Sequence, residues 1–133
     1  TLYGDMVGAY APLKDISKTK IYNIVNYINQ KQKIIPQRII TRPPSAELKE
    51  NQKDQDTLPD YAILDRIIEL FIDDGLNSQE IIKRGFKPQL VKKIVKLILG
   101  SEFKRRQSPP GPKISRKAFG RERRFPITNN YLG

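Results

Sequence analysis

Apolar side chains recur along this chain at helical spacing in three places and then stop. In "SKTKIYNIVNYINQ", Ile21, Ile24, Val25 and Ile28 fall at i, i+3, i+4 and i+7, which predicts one helical face. Ser17 stands where an N-cap belongs. In "DYAILDRIIELFIDDG", Leu64, Ile67, Ile68, Phe71 and Ile72 predict a second helix, with Gly75 as its terminator. "NSQEIIKRGFKPQLVKKIVKLILG" reads as a pair: a short helix opened by an Asn77/Glu80 capping box and closed at Gly85, then a longer one begun by Pro88. Val91, Ile94, Val95 and Ile98 line one face of the longer helix.

Between these elements the pattern breaks. Pro36 and Pro43–Pro44 interrupt regular structure, so "IIPQRIITRPP" is expected to run extended, with Ile39 and Ile40 as a short strand. Residues 45–59, "SAELKENQKDQDTLP", are polar and bounded by proline, the composition of a solvated loop. Beyond Gly100 the apolar rhythm ends. The last 33 residues hold nine Lys and Arg against two acidic residues, broken by Pro109, Pro110, Pro112 and Pro126. No repeat is visible.

Composition narrows the chemistry. At 133 residues, one modest core is the most the chain can build. The formal charge of +11 favours a polyanionic partner, whether nucleic acid, an anionic surface or nucleotide phosphate. With no Cys and no His, there is no disulfide, no thiol nucleophile, no Ser-His-Asp triad and no His metal ligand in these residues. Catalysis would fall to Lys, Arg, Asp, Glu or Tyr. No apolar run reaches the roughly 20 residues of a membrane span, and a soluble cytoplasmic protein is expected. The opening, "TLYGDMVGAY", has no initiator methionine, and the chain is expected to continue something longer.

Two constellations carry possible chemistry. The helix pair of residues 78–99 is compatible with a helix-turn-helix nucleic-acid module, in which Lys87, Lys92, Lys93 and Lys96 meet phosphates and Lys104–Arg106 extend the footprint. It is equally the form of two packing helices with solvated lysines, and no Arg, Asn or Gln cluster on the second helix suggests base readout. The other constellation is "YGDMVGAYAPLKDISK". Gly4, Gly8 and Pro12 mark a tight loop, Asp5 and Asp15 are acidic, and Lys18 opens a helix, a junction at which a lysine can meet phosphate oxygens. A Gly/Pro turn leading into a capped helix accounts for the same residues. No G-x-x-x-x-G-K-[ST] loop is present.

Four stretches in order, "LYGDMVGAYAPLKDISKTKIY", "RPPSAELKENQKDQDTLPDYAILDRIIEL", "SEFKRRQSPPGPK" and "FGRERRFPITN", resemble the C-terminal part of the synthetase domain of glutamine-dependent NAD synthetases. The resemblance runs over nearly the whole chain. It implies that residues 1–133 are the C-terminal portion of an NAD synthase domain whose parent fold is α/β, a Rossmann-like sandwich of the adenine nucleotide alpha hydrolase type. This portion would be mostly α-helical with little strand.

The resemblance further implies a ligase that uses ATP and Mg²⁺ to turn nicotinic acid adenine dinucleotide (deamido-NAD) into NAD. The nicotinate carboxylate attacks the α-phosphate of ATP, and ammonia from glutamine then displaces AMP from the acyl-adenylate. Lys18 takes the place of a lysine on ATP phosphate, and Ser45 that of a hydroxyl residue on ATP. The polar segment after Ser45 becomes a loop that orders over nucleotide. Lys104 takes the place of a lysine that contacts deamido-NAD, with Phe103 beside it, where the ammonia-dependent branch carries histidine.

Arg105, Arg106, Asp5 and Asp15 receive no role. A Ser-Gly-Gly-rich pyrophosphate loop, the Mg²⁺-binding acidic residues and a glutaminase domain are expected upstream of Thr1, so no catalytic residue or metal site is expected here and the chain alone should not turn over. The whole enzyme is implied to be cytoplasmic and homo-oligomeric, with no membrane or nucleic-acid partner. Cut from its sheet, the fragment is expected to expose apolar helix faces.

Overall fold

A computed structural model of the chain describes residues 8–42 and 58–128. Its elements are α1 (Lys18–Lys31), α2 (Gln37–Thr41), α3 (Tyr61–Ile72), α4 (Ser78–Lys83), α5 (Pro88–Gly100) and α6 (Glu102–Gln107), with no strand among the described residues. The chain divides into two units, one of Thr1–Ile16 with Arg66–Gly133 and the other of Ser17–Asp65, the boundary falling inside α3.

The larger unit holds the core. Ile67, Leu70 and Phe71 of α3, Ile81 of α4 and Val91, Ile94 and Val95 of α5 are its buried apolar side chains. Each full burial of this kind stabilises by about 1.5–3 kcal/mol. Helix α3 ends where expected: Gly75 takes a left-handed φ of 75°, and the Leu76 amide reaches back to the Leu70 carbonyl at 3.0 Å. Both halves of the Asn77/Glu80 capping box form, with the Glu80 amide donating to Asn77 at 3.0 Å and the Asn77 amide to Glu80 at 2.7 Å. Pro88 occupies the first turn of α5, where its missing N–H costs nothing.

The basic C-terminal segment folds back onto this core. The Phe125 ring stacks on Phe71 with centroids 5.6 Å apart and planes within 10°. The Arg123 guanidinium lies over both rings, at 4.8 Å from Phe71 and 5.3 Å from Phe125, and burial pulls its pKa downward. Arg116 pairs with Asp74, and the Lys117 amide donates to Asp73 at 3.1 Å.

In the smaller unit, Asn29 turns the chain after α1. Its side-chain amide donates to the Ile35 carbonyl at 2.8 Å, and its oxygen accepts from the amides of Ile34 and Ile35 at 3.2 and 2.9 Å. The strand expected at Ile39–Ile40 does not form; these residues lie in α2. Pro36 sits at the N-cap, where no intrahelical N–H is needed, and the Thr41 hydroxyl donates to the Gln37 carbonyl at 3.1 Å, closing one local turn. A lone β-branched pair without a neighbouring strand has no ladder to join. Helix α1 has no buried residue, and Ile24 and Tyr27 are 45% and 56% exposed. Among the described residues no helix is long and apolar enough to cross a membrane.

Candidate functional site

Lys18 is the first residue of α1, and two neighbours set that helix start. Ser17 is extended and its hydroxyl accepts from the Lys20 amide at 3.5 Å. Asp65 accepts from both the Thr19 amide, at 2.9 Å, and the Thr19 hydroxyl, at 2.7 Å. With the backbone held there, the Lys18 side chain stands exposed, and no carboxylate among the described residues pairs with it. The first turn of α1 carries no acidic residue. A cation at the positive end of a helix is suited to an anionic ligand. Ser45 lies outside the described residues, as do Gly4, Asp5 and the segment that follows Ser45 up to residue 57.

Phe103 and Lys104 are on α6, in the larger unit. This stretch, in which no apolar rhythm was expected to continue, is a helix organised by one side chain. Glu102 is 1% exposed. Its Oε2 accepts from Arg105 Nη2 at 2.9 Å and Nε at 3.1 Å, and its Oε1 from Arg106 Nε at 3.1 Å. Burial works against its charge, but the hydrogen bonds from Arg106 and Arg105, the Arg105 charge and the Phe125 amide outweigh that and hold its carboxyl below the ordinary glutamate range. Arg105 also donates to the Ile98 carbonyl near the end of α5, and Arg106 donates to the Phe125 carbonyl at 2.9 Å. Lys104 is exposed, its Nζ 5.9 Å from the centroid of the Phe103 ring, which is itself 43% exposed.

A second carboxylate organises the approach to the first helix. Asp15 accepts from the amides of Ile114, Ser115 and Phe119 at 2.6, 2.7 and 2.8 Å, and from the Ser115 hydroxyl at 2.7 Å. Partial burial opposes its ionisation; these donors prevail and its pKa lies below the usual aspartate value. Beside it, Lys14 donates to the Pro109 carbonyl at 2.7 Å and the Ala11 amide to Pro110 at 2.8 Å. Gly111 lies so close that a Cβ there would meet the Ala11 carbonyl oxygen at 2.5 Å. The depression lined by Lys14, Asp15, Gly111, Pro112, Ala118, Phe119 and Arg121 encloses about 10 Å³, room for one water at most and not for a nucleotide.

Of the residues singled out from sequence, Lys18 belongs to the smaller unit and Phe103 and Lys104 to the larger. Glu102 was missed, although its spacing to Arg105 and Arg106, i+3 and i+4, is a readable signal on a helix. Arg105, Arg106 and Asp15 acquire structural roles. Among the described residues no three acidic side chains gather into a metal-binding set.

Comparison with known proteins gives one consistent answer. The family model for NAD synthase matches residues 1–108. The glutamine-dependent NAD(+) synthetase of Acinetobacter baylyi is 50% identical over 98% of this chain and 25% of its own length. That of Aquifex aeolicus is 47% identical over 99% of this chain and 23% of its own. A solved glutamine-dependent NAD+ synthetase from Acinetobacter baumannii, in complex with adenosine diphosphate, matches 97% of this chain and 22% of its own with a TM-score of 0.54 and 41% identity. This chain thus spans about a quarter of the length of the curated relatives it matches. A helical piece is consistent with an α/β parent of that kind. Nothing in these likenesses supports a nucleic-acid module; the α4–α5 pair is packing within the core.

Proposed function

The chain belongs to the NAD synthase family, and from that premise we propose that it is the C-terminal portion of a synthetase domain that amidates deamido-NAD to NAD with ATP. The nicotinate carboxylate attacks the α-phosphate of ATP, forming the acyl-adenylate and releasing pyrophosphate. Ammonia then adds at the acyl carbon and AMP leaves. Each step builds negative charge on phosphate or carbonyl oxygens, and fixed cations lower its cost. With no His or Cys in the chain, electrostatic binding is the contribution its residues are equipped to make.

Lys18 contacts ATP phosphate, Ser45 offers ATP a hydroxyl, and Lys104 contacts deamido-NAD with Phe103 packed beside it. The observation that carries this reading is that Lys18 and Lys104 both lie inside the family match and both present an ammonium without a carboxylate partner among the described residues. Mg²⁺ would screen phosphate charge in the complete enzyme; among the described residues no group of three acidic side chains gathers to hold it. The remainder of the parent chain is assigned the pyrophosphate loop and a glutaminase domain, and the whole is placed in the cytoplasm as a homo-oligomer, as the family resemblance implies.

The test is a pair of variants in the full-length enzyme. Lys18→Ala should fold yet lose most pyrophosphate release, about 100-fold, the usual scale for removing one fixed donor or charge from a transition state. Lys104→Ala should raise KM for deamido-NAD and leave that for ATP alone. A wild-type rate in Lys18→Ala would sink the ATP assignment; an unchanged dinucleotide KM in Lys104→Ala would sink the other.

A further inference from the structure

We propose that Glu102 is a positioning residue for Lys104: it sorts three consecutive cations into one that meets the anionic dinucleotide and two that are bound internally. The inference rests on the reading of Lys104 given above. Positions 105 and 106 lie three and four residues after Glu102 and share its helix face, whereas position 104 is rotated about 200° from it. Burying Glu102 therefore directs Lys104 outward. Glu102 is 1% exposed and its two oxygens accept from Arg105 and Arg106, so it faces no ligand; Arg105 is withdrawn with it at 9% exposure, and Arg106, 43% exposed, is tethered through its Nε.

Stability alone is a poor reason for this arrangement. A buried carboxylate with two arginines is often no more stable than an apolar replacement of equal volume, because desolvation cancels most of the attraction. What an apolar residue cannot do is hold Arg105 against the end of α5, hold Arg106 against the Phe125 carbonyl, and fix the pitch of a six-residue helix. A helix that short has little stability of its own. Without Glu102, α6 loses its anchor, and Lys104 becomes one of three mobile cations instead of a single oriented one.

The test uses the full-length enzyme with deamido-NAD and ATP varied separately. Glu102→Gln should raise KM for deamido-NAD about tenfold, the scale expected when a binding group loses its supporting shell, with KM for ATP unchanged. Glu102→Asp should recover part of the loss. Glu102→Gln combined with Lys104→Ala should be no worse than Lys104→Ala alone. Should Glu102→Gln fail to fold, Arg106→Gln removes one ion pair and the bond to the Phe125 carbonyl, at a side chain 43% exposed, and should raise the same KM about two- to threefold, roughly a third to a half of the full effect in free energy. An unchanged dinucleotide KM in these variants, a parallel rise in both KM values, or additivity in the double variant overturns the proposal while leaving Lys104 as a substrate contact. An unaffected dinucleotide KM in Lys104→Ala instead overturns the contact itself, and the positioning role with it.

Discussion

Replacing Asp15 with alanine should free the 109–119 segment without unfolding the molecule. The carboxylate accepts four hydrogen bonds between 2.6 and 2.8 Å, three from backbone amides and one from the Ser115 hydroxyl. Hydrogen bonds to a charged group stabilise by about 1.5–3 kcal/mol each, but these share one charge and the site is only half-buried, so they do not add. A net loss of about 3 kcal/mol is the reasonable scale. If closing is fast relative to cleavage, that loss raises the open population of the segment roughly 100-fold. Limited trypsin digestion of the full-length protein reads it directly, because Lys113, Arg116 and Lys117 lie in the clamped stretch. Cleavage there should accelerate by one to two orders of magnitude in Asp15→Ala, while cleavage after Lys92 in α5 stays at the wild-type rate. Asp15→Asn, which keeps an acceptor and loses the charge, should fall between. Equal cleavage of wild type and Asp15→Ala at these sites would refute the clamp.

Two further outcomes follow from the same physics. Glu102 and Asp15 are both held below their ordinary carboxyl values in the folded state, so their stabilisation is complete above the unfolded range and is withdrawn as pH falls through the folded values. Thermal melts of wild type should therefore lose stability below about pH 4.5 more steeply than those of Glu102→Gln; parallel curves would contradict it. The isolated 133-residue chain, with Ile24, Tyr27 and Ile39 exposed at 45%, 56% and 64%, should self-associate, and sedimentation of a monodisperse, cooperatively unfolding monomer would count against that.

Much of the helical layout was readable because its signals are local. Ser17, Asn77/Glu80, Pro88 and Gly75 act on backbone groups within a turn of themselves, and each does what its residue type dictates. The apolar faces of α3 and α5 were likewise visible as periodicity, though Leu70 joined the core unannounced. The α2 turn was misread because Pro43–Pro44 and a β-branched pair suggest extension, while one helical turn needs only a tolerant start at Pro36 and the Thr41 closure.

The candidate lysines, Lys18 and Lys104, were singled out by resemblance, because an exposed lysine has no local mark that separates a ligand contact from a solvated charge. Linear order along the chain therefore establishes the family, the helices and their caps. It left open which charges are consumed inside the fold. The partners of Asp15 lie about a hundred residues away, at Ile114, Ser115 and Phe119, and the Phe125 ring finds Phe71 across more than fifty. Periodicity carries no information about such pairs, since they depend on chain return. Even Glu102, whose partners are three and four residues away, became legible as an anchor only once burial removed it from water, where the same spacing would have been a weak surface pair.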